Sequence, residues 1–253
     1  MSFKERVSDI NGFYKTASGV KLPIKIFLPD RQKSNNKSVL LIHGGGWKDA
    51  IADNSCWNGG WMANNAKYLA ENGFISIVIS YRSLELSDEL TVPDLYDDCK
   101  DAVMYIRKNF DFVNFEDITC IGESAGGYFA TMLGLSQDDK LRPKKVIAAN
   151  PVLTKLDTDW KYGFKGIEDT EKLMPSNCIG EKCAEFLFLH GTADEVVSIE
   201  DTEELHKALL KRGHKSNFVK IPDEKHAFML YDYLKSDEFV TEIMKKVIDF
   251  INE

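Results

Sequence analysis

Residues 122–126, with the sequence Gly-Glu-Ser-Ala-Gly, are the part of the chain best suited to do chemistry. A β-branched run at 118–121 predicts a buried strand before them, and a helix is predicted from Ala125 onward. A serine on so sharp a turn has strained backbone and an exposed hydroxyl, and small neighbours avoid collisions with the strand and the helix. The pattern predicts that Ser124 is a nucleophile. The structural alternative is that Ser124 only caps the helix.

A serine nucleophile needs a base, and the base needs a carboxylate that orients it. His226 follows the last predicted strand, at the edge of the sheet where ligands bind, and is therefore favoured over the other histidines as the base. Asp194 follows the preceding strand by one short loop, so its carboxylate could reach Nδ1 of His226. Asp223 is the alternative acid, but no strand end positions it. We predict a catalytic set of Ser124, Asp194 and His226, in that order along the chain.

A second glycine-rich segment has the sequence His-Gly-Gly-Gly-Trp at 43–47 and directly follows an apolar run at 38–42. Three glycines leave backbone amides unobstructed, so that a substrate oxygen can approach them closely. A flexible loop without a function is the alternative. The aromatic residues Trp47, Trp57 and Trp61 are candidates to wall a substrate pocket, although they could equally pack a long loop onto the domain.

The elements that must position these residues alternate between strand and helix, which predicts an α/β fold with a mostly parallel central sheet and helices on both faces. An antiparallel hairpin is predicted first, around Ser18 and Gly19. Strands are then predicted at 38–42, 75–80, 118–121, 145–149, 186–189 and 218–221, and helices at 62–72, 93–109, 125–135, 200–211 and 238–251. In such a sheet, ligands bind beyond the carboxyl ends of the strands, where the candidate residues fall. Residues 157–183 show little periodicity and are a candidate lid.

Composition limits the classes of protein that are possible. With 253 residues, 43% hydrophobic and 28% charged, the chain is predicted to form a single domain over 1–253. A net charge of −8 disfavours nucleic acid as a partner. No apolar run is long enough to span a membrane and the N-terminus lacks the apolar core of a secretory signal, so a cytoplasmic location is expected. The five cysteines are scattered, which favours reduced thiols, and neither a metal site nor a cofactor is predicted.

In the candidate catalytic residues and the glycine-rich motifs around them, the sequence resembles the α/β-hydrolase superfamily. Within it, the chain is similar to hormone-sensitive-lipase-like carboxylesterases and to the small esterases of the feruloyl- or acetyl-esterase-like group. The resemblance is carried by the motifs at 43–47, 80–82, 122–127, 190–197 and 226–228. It implies the α/β-hydrolase fold, and an oxyanion hole formed by the amides of Ala125, Gly45 and Gly46. Lipase-like members often carry a long N-terminal cap, whereas only 42 residues precede His43 here. We therefore expect no large cap domain and a small or soluble ester as substrate.

The predicted function is that of a carboxylesterase that cleaves a small ester through an acyl-enzyme. A first alternative is an aryl-formamide hydrolase of the kynurenine formamidase type, which shares the His-Gly-Gly-x-Trp pattern. A small exopeptidase is less favoured, because no propeller-like partner domain is expected. A non-catalytic ligand receptor on the same scaffold would be expected to have lost a member of the catalytic set, whereas this sequence keeps all three. The acyl group, the alcohol group and the oligomeric state are left open by the sequence.

Overall fold

A central sheet of eight strands organises the part of the chain that the structure describes. The structure is a computed structural model that describes residues 8–48, 61–154, 156, 158–231 and 234–253. The strands are β1 (Ser8–Ala17), β2 (Val20–Leu28), β3 (Ser38–Ile42), β4 (Ile75–Ile79), β5 (Ile118–Glu123), β6 (Lys145–Ala149), β7 (Glu185–Gly191) and β8 (Ser216–Ile221). Their spatial order is β1-β2-β4-β3-β5-β6-β7-β8.

The sheet begins with an antiparallel hairpin and continues as a parallel sheet. β1 pairs with β2 across a turn at Ser18 and Gly19, both of which have positive φ. β2 pairs antiparallel with β4, and every later pair, from β4–β3 to β7–β8, is parallel. All residues of β3 and β4 are buried, as expected for parallel strands that are covered on both faces. The predicted hairpin and the mostly parallel sheet are confirmed.

Five α-helices in the described ranges cover the two faces of the sheet. They are α1 (Trp61–Glu71), α2 (Val92–Asn109), α3 (Ala125–Leu135), α4 (Ile199–Lys211) and α5 (Asp237–Asn252). The apolar side chains of α2, α3 and α4 belong to one core cluster, and those of α1 and α5 belong to the other. None of the helices in these ranges is long and apolar enough to cross a membrane.

The parallel strands all end at one edge of the sheet, and this edge collects the candidate residues. β3 and β5 are neighbours with Ile42 opposite Gly122, so the loop at 43–47 lies beside the turn at Ser124. β7 and β8 are neighbours with Gly191 opposite Ile221, so the loops at 192–197 and 222–228 are adjacent as well. The order of the strands therefore brings together four segments that are distant in sequence.

The candidate lid at 157–183 begins at a residue outside the described ranges, and its described part contains three short 3-10 turns: Lys161–Gly163, Thr170–Leu173 and Pro175–Asn177. Phe164 and Ile179 are 4% exposed and belong to the same apolar cluster as α2 and α3. The hydroxyl of Tyr128 on α3 donates a hydrogen bond of 2.9 Å to the carbonyl oxygen of Leu173. The segment is thus anchored on helix α3 at several points, and its role as a lid stays a prediction.

A buried ion pair connects the hairpin, helix α2 and the end of β4. The carboxylate of Asp98 is fully buried, and it lies 2.7 Å from Nζ of Lys15 and 2.7 Å from Nε of Arg82. Lys15 makes a second pair with the exposed Asp101 at 2.6 Å. Losing one member of a buried pair leaves the other charge uncompensated, whereas exposed pairs contribute little.

We expect Asp98→Ala to lower the free energy of unfolding by about 3–5 kcal/mol, because the guanidinium of Arg82 loses its buried partner. Asp101→Ala is the matched control, since it removes the exposed partner of the same Lys15. Its expected cost is only about 0.2–1 kcal/mol. Urea unfolding followed by circular dichroism measures both, and equal losses in the two variants would contradict the prediction.

Candidate active site

The turn between β5 and α3 holds Ser124 in a backbone conformation that a side chain rarely adopts, with φ 53° and ψ −119°. Such a residue costs about 1–3 kcal/mol, so the surroundings must hold it in place. The amide of Ser124 donates a 2.9 Å hydrogen bond to the carbonyl oxygen of Ala149 on β6. A Cβ atom on Gly126 would lie 2.3 Å from the carbonyl oxygen of Ile42, so only glycine allows helix α3 to approach β3 this closely. The turn therefore presents the hydroxyl of Ser124 at the carboxyl edge of the sheet.

The structure brings Ser124, His226 and Asp194 into one line of hydrogen bonds. The Nδ1–H of His226 donates to Oδ2 of Asp194 at 2.8 Å, which leaves Nε2 to accept from the hydroxyl of Ser124 at 2.8 Å. Asp223, the alternative acid, is exposed, and its amide donates to Oγ1 of Thr192 at 2.8 Å. The geometry thus joins the three residues predicted from the sequence and leaves Asp223 outside the line.

The carboxylate of Asp194 is surrounded by hydrogen-bond donors. Its Oδ1 accepts from the amides of Val196 at 2.9 Å and Val197 at 3.0 Å. Its Oδ2 lies 3.3 Å from Nε2 of His190, in addition to the bond from His226. Burial favours the neutral acid, but the hydrogen bonds from His190, His226 and the Val197 amide outweigh it and hold the pKa of Asp194 well below its usual range. Asp194 is therefore an ionised carboxylate at neutral pH.

The environment of His226 favours the protonated imidazole. Burial lowers the pKa of His226, but the hydrogen bond to Asp194 and the negative charges of Glu123 and Asp194 act in the opposite direction and prevail. The net result is a pKa above the usual value for histidine. In its neutral form, a ring of raised basicity is a better acceptor for the proton of Ser124.

The loop at 43–47 is fixed from behind by a histidine–tyrosine stack. The rings of His43 and Tyr81 lie 4.3 Å apart at an angle of 8°. The hydroxyl of Tyr81 donates to the carbonyl oxygen of His43 at 2.8 Å, and Nδ1 of His43 donates to the carbonyl oxygen of Gly44 at 2.7 Å. Burial lowers the pKa of His43 to about 4, although the bond to Gly44 opposes this shift. His43 is therefore a neutral ring that shapes the loop.

The three tryptophans that are candidates to wall a pocket differ in their positions. Trp61 does line the cavity at the site. Trp47 is 1% exposed and absent from the cavity wall, because its ring packs edge-on against Tyr128 while its Nε1–H donates to the carbonyl oxygen of Ala125 at 3.2 Å. The expectation that Trp47 walls the pocket is thus corrected, since it supports the turn from inside. Trp57 lies outside the described residues.

A cavity of about 240 Å³ opens over Ser124. It is lined by the glycines of the loop after β3, including Gly45 and Gly46, which have φ of 101° and 58°. The rest of its lining combines the polar side chains of His43, Glu123 and His226 with an apolar wall formed by Trp61, Met62, Trp160, Val196, Ala227 and Leu230. Among the residues that the structure describes, no group of three His, Cys, Asp or Glu side chains is arranged to hold a metal ion.

Several residues of the cavity were not singled out from the sequence, and Trp160 and Glu123 are the most informative of them. Trp160 lies in the aperiodic segment, where no pattern could place it, and its ring meets that of Trp47 edge-on at 5.5 Å. Glu123 is one residue before Ser124 inside the motif itself, and its carboxyl group is buried beside His226. The sequence did offer a signal for Glu123, because it is a charged residue at the end of a strand in which all the remaining residues are buried.

The eight-stranded sheet and its helices form the α/β-hydrolase fold. Residues 24–162, more than half of the chain, match the model of the BD-FAE family. The chain therefore belongs to the BD-FAE family.

Solved structures show the same fold, and curated relatives are similar in sequence over most of this chain. Esterase 2 of Thermogutta terrifontis phosphorylated by paraoxon superposes with a TM-score of 0.79 at 20% identity, covering 98% of this chain and 95% of the esterase. The propionate-bound form of the same esterase superposes with a TM-score of 0.78 at 21% identity, covering 95% of this chain and 92% of the esterase. A probable dipeptidyl-peptidase 5 of Aspergillus terreus is 26% identical over 86% of this chain and 32% of its own length. The chain thus spans about a third of the length of this relative.

An NMR titration of the histidine rings tests the electrostatics of the site. We expect the pKa of His226 to lie above the usual histidine value in the wild type and to fall in Asp194→Asn, because the variant removes the negative charge of Asp194 while burial remains. His206, whose Nδ1 meets Oγ of Ser216 at 2.8 Å, serves as the internal control and should not change. An unchanged pKa of His226 in the variant would contradict the assignment.

Proposed function

We propose that the chain hydrolyses small carboxylic esters through an acyl-enzyme on Ser124. The observation that carries the proposal is the pair of 2.8 Å hydrogen bonds that joins Ser124 to His226 and His226 to Asp194. A serine hydroxyl is a weak nucleophile at neutral pH, and an adjacent oriented imidazole is the usual means of activating it.

In the acylation step, Oγ of Ser124 attacks the ester carbonyl carbon while Nε2 of His226 takes the hydroxyl proton. The same proton is then donated to the leaving alcohol as the carbon–oxygen bond breaks. Asp194 stays ionised throughout, because its pKa lies well below its usual range. Its role is to hold the tautomer with hydrogen on Nδ1 and to stabilise the imidazolium. In the second step, water attacks the acyl carbon and His226 acts again as base and acid.

The oxyanion of each tetrahedral intermediate needs donors that are already in place. We assign this role to the amides of Ala125, Gly45 and Gly46. Ala125 is the first residue of helix α3, where free amides and the helix dipole favour negative charge. Gly45 and Gly46 line the cavity on the other side of Ser124.

The size and chemistry of the cavity favour a small substrate. Its volume of about 240 Å³ is below the ~300–1,000 Å³ of sites for drug-sized ligands. The apolar wall suits an aliphatic acyl group or alcohol better than a charged one. The related Thermogutta esterase has been solved with propionate and with butyrate bound, which is consistent with a short acyl chain.

Hydrolysis of an amide-type bond is the second candidate. It is favoured by the curated relatives, which are named as probable dipeptidyl-peptidases and align with 86% of this chain. An N-formyl anilide and a dipeptidyl anilide, assayed beside an aryl ester on one preparation, separate the three activities.

We propose that the ester is the preferred substrate. We also propose that the chain acts as a single cytoplasmic domain, and that segment 157–183 helps to shape access to the site.

We expect Ser124→Ala to lower the turnover of a 4-nitrophenyl ester by roughly four to six orders of magnitude, because the nucleophile is lost. Ser136→Ala, which changes the serine at the opposite end of helix α3, is the matched control and should keep wild-type activity. An active-site phosphonate should form a covalent adduct with the wild type and the control but not with Ser124→Ala. Near-normal turnover by Ser124→Ala would refute the assignment.

A series of 4-nitrophenyl esters tests the size of the acyl site, since the leaving group is constant. We expect kcat/KM to be highest from acetyl to butyryl and to fall by roughly tenfold or more at octanoyl, because the cavity cannot accept the added methylenes. A flat or rising profile would show that the acyl chain lies outside the cavity. Acetylated sugars and feruloyl esters belong in the same panel, since they vary the alcohol and the acid respectively.

A further inference from the structure

Glu123 is a buried carboxyl group that the proposed acylation chemistry does not use. It is the last residue of β5 and is 3% exposed. Its Oε2 packs against the backbone of Gly44, where an added Cβ atom would lie 2.3 Å from it. Its Oε1 turns toward the site and lies 3.7 Å from Nε2 of His226. Within the described part of the chain, Oε1 accepts no hydrogen bond.

An unpaired buried carboxyl group is unfavourable for stability, so its presence calls for a role. Burial raises the pKa of Glu123 to about 7, with the charge of His226 opposing the shift and that of Asp194 adding to it. The titratable groups that act on its charge are therefore His226 and Asp194, from the loops after β8 and β7. The neutral His43, from the loop after β3, lines the same cavity. In both protonation states the carboxyl group keeps an oxygen that can accept a hydrogen bond.

We propose that Oε1 of Glu123 accepts a hydrogen bond from the water molecule that hydrolyses the acyl-enzyme and orients that water for attack. This inference rests on the proposed ester hydrolysis at Ser124 and assigns a residue to its second step.

The geometry follows from what changes at Ser124 on acylation. Its Oγ becomes an ester oxygen and can no longer donate to Nε2 of His226, so Nε2 is open to a water molecule. Water has two O–H groups, and only one of them can be directed at Nε2. Because Oε1 of Glu123 is 3.7 Å from Nε2, one water can donate to both atoms over hydrogen bonds of about 2.8 Å. With both hydrogens fixed, a lone pair of the water faces the acyl carbon on Ser124.

The step balances without any change at Glu123. The water oxygen forms a bond to the acyl carbon while His226 takes one of its protons. The tetrahedral intermediate then collapses, the bond from the acyl carbon to Oγ of Ser124 breaks, and His226 returns the proton to Oγ. The second hydrogen of the water leaves with the carboxylic acid product. Glu123 only accepts a hydrogen bond, so its contribution lies in orientation.

Glu123→Met is the informative variant, since it keeps the length of the side chain and removes the acceptor. With 4-nitrophenyl acetate, we expect the burst of nitrophenol from acylation to be retained while the later steady-state rate falls by roughly 10- to 100-fold. kcat and KM should fall together and kcat/KM should change little, because kcat/KM reports acylation. Mass spectrometry of the quenched reaction should then show acetyl-Ser124 as the main species. Glu123→Gln keeps an acceptor oxygen and should recover most of the rate.

Competition with methanol provides a readout that a purely structural role would not alter. Methanol has a single O–H group, so it can donate to His226 but cannot also donate to Glu123. Removing the acceptor should therefore slow attack by water more than attack by methanol. We expect the ratio of methyl acetate to acetate, at one methanol concentration, to rise severalfold in Glu123→Met and to stay near the wild-type value in Glu123→Gln.

Thr131→Val is the matched control, because Oγ1 of Thr131 on helix α3 is also buried without a hydrogen-bond partner in the described residues. It should leave the burst, the steady-state rate and the product ratio unchanged. Glu123→Leu replaces Glu123→Met if the latter does not fold. An equal fall of kcat and kcat/KM, or an unchanged product ratio in the variant without the acceptor, overturns the inference. Absence of any acyl-enzyme in the wild type would instead refute the proposed function.

Discussion

The strained backbone at Ser124 is the constraint on which the rest of the structure depends. A residue with φ 53° and ψ −119° persists only when its neighbours leave no alternative. Here the amide of Ser124 is bonded to Ala149, and its carbonyl oxygen accepts from the amide of Val152 at 3.2 Å. Trp47 adds a third restraint through its bond to the carbonyl oxygen of Ala125. Strand β6, the chain that follows it and the buried tryptophan of the glycine-rich loop therefore all restrain one serine.

Much of the fold could be predicted because its signals are local. Continuous apolar runs such as Ser38–Ile42 and Lys145–Ala149 coincide with the observed strands, since a parallel strand is buried on both faces and needs no alternation. Helix α3 begins at Ala125 as predicted, because the motif itself encodes the turn. Segment 157–183 could not be assigned, since its short 3-10 turns have no apolar period of their own and are positioned by contacts with the core.

In the candidate site, too, local sequence patterns could be recognised, whereas contacts between distant segments could not. The sequence favours Asp194 over Asp223 because a strand end positions Asp194, and the structure adds the pairing of the loops after β7 and β8. The amide of Ala193 donates to the carbonyl oxygen of Glu224 at 2.9 Å, and the amide of Asp223 donates to Thr192. These bonds leave Asp223 in solvent and turn Asp194 toward His226. The position of Trp47 could not be decided from the sequence, because the edge-on packing of its ring depends on residues far away in sequence.

The site also gives two carboxyl groups different pKa values through their environments. Asp194 and Glu123 are both close to His226, yet the pKa of Asp194 lies far below its usual range while that of Glu123 is raised to about 7. The difference follows from the number of donors, because Asp194 receives two amides and two imidazoles whereas Oε1 of Glu123 receives no hydrogen bond within the described residues. A permanently ionised group is suited to holding the tautomer of the imidazole.

A group with a pKa near neutral and a free acceptor is suited to binding a transient molecule instead. If Glu123 carried a full charge at all times, it would stabilise the imidazolium of His226 further and leave less of the neutral ring to take a proton at the start of each step. Burial without donors limits that charge while leaving the acceptor oxygen in place. The same absence of partners that makes Glu123 unfavourable for folding therefore makes it compatible with a neutral His226 and available to a water molecule that arrives only after acylation.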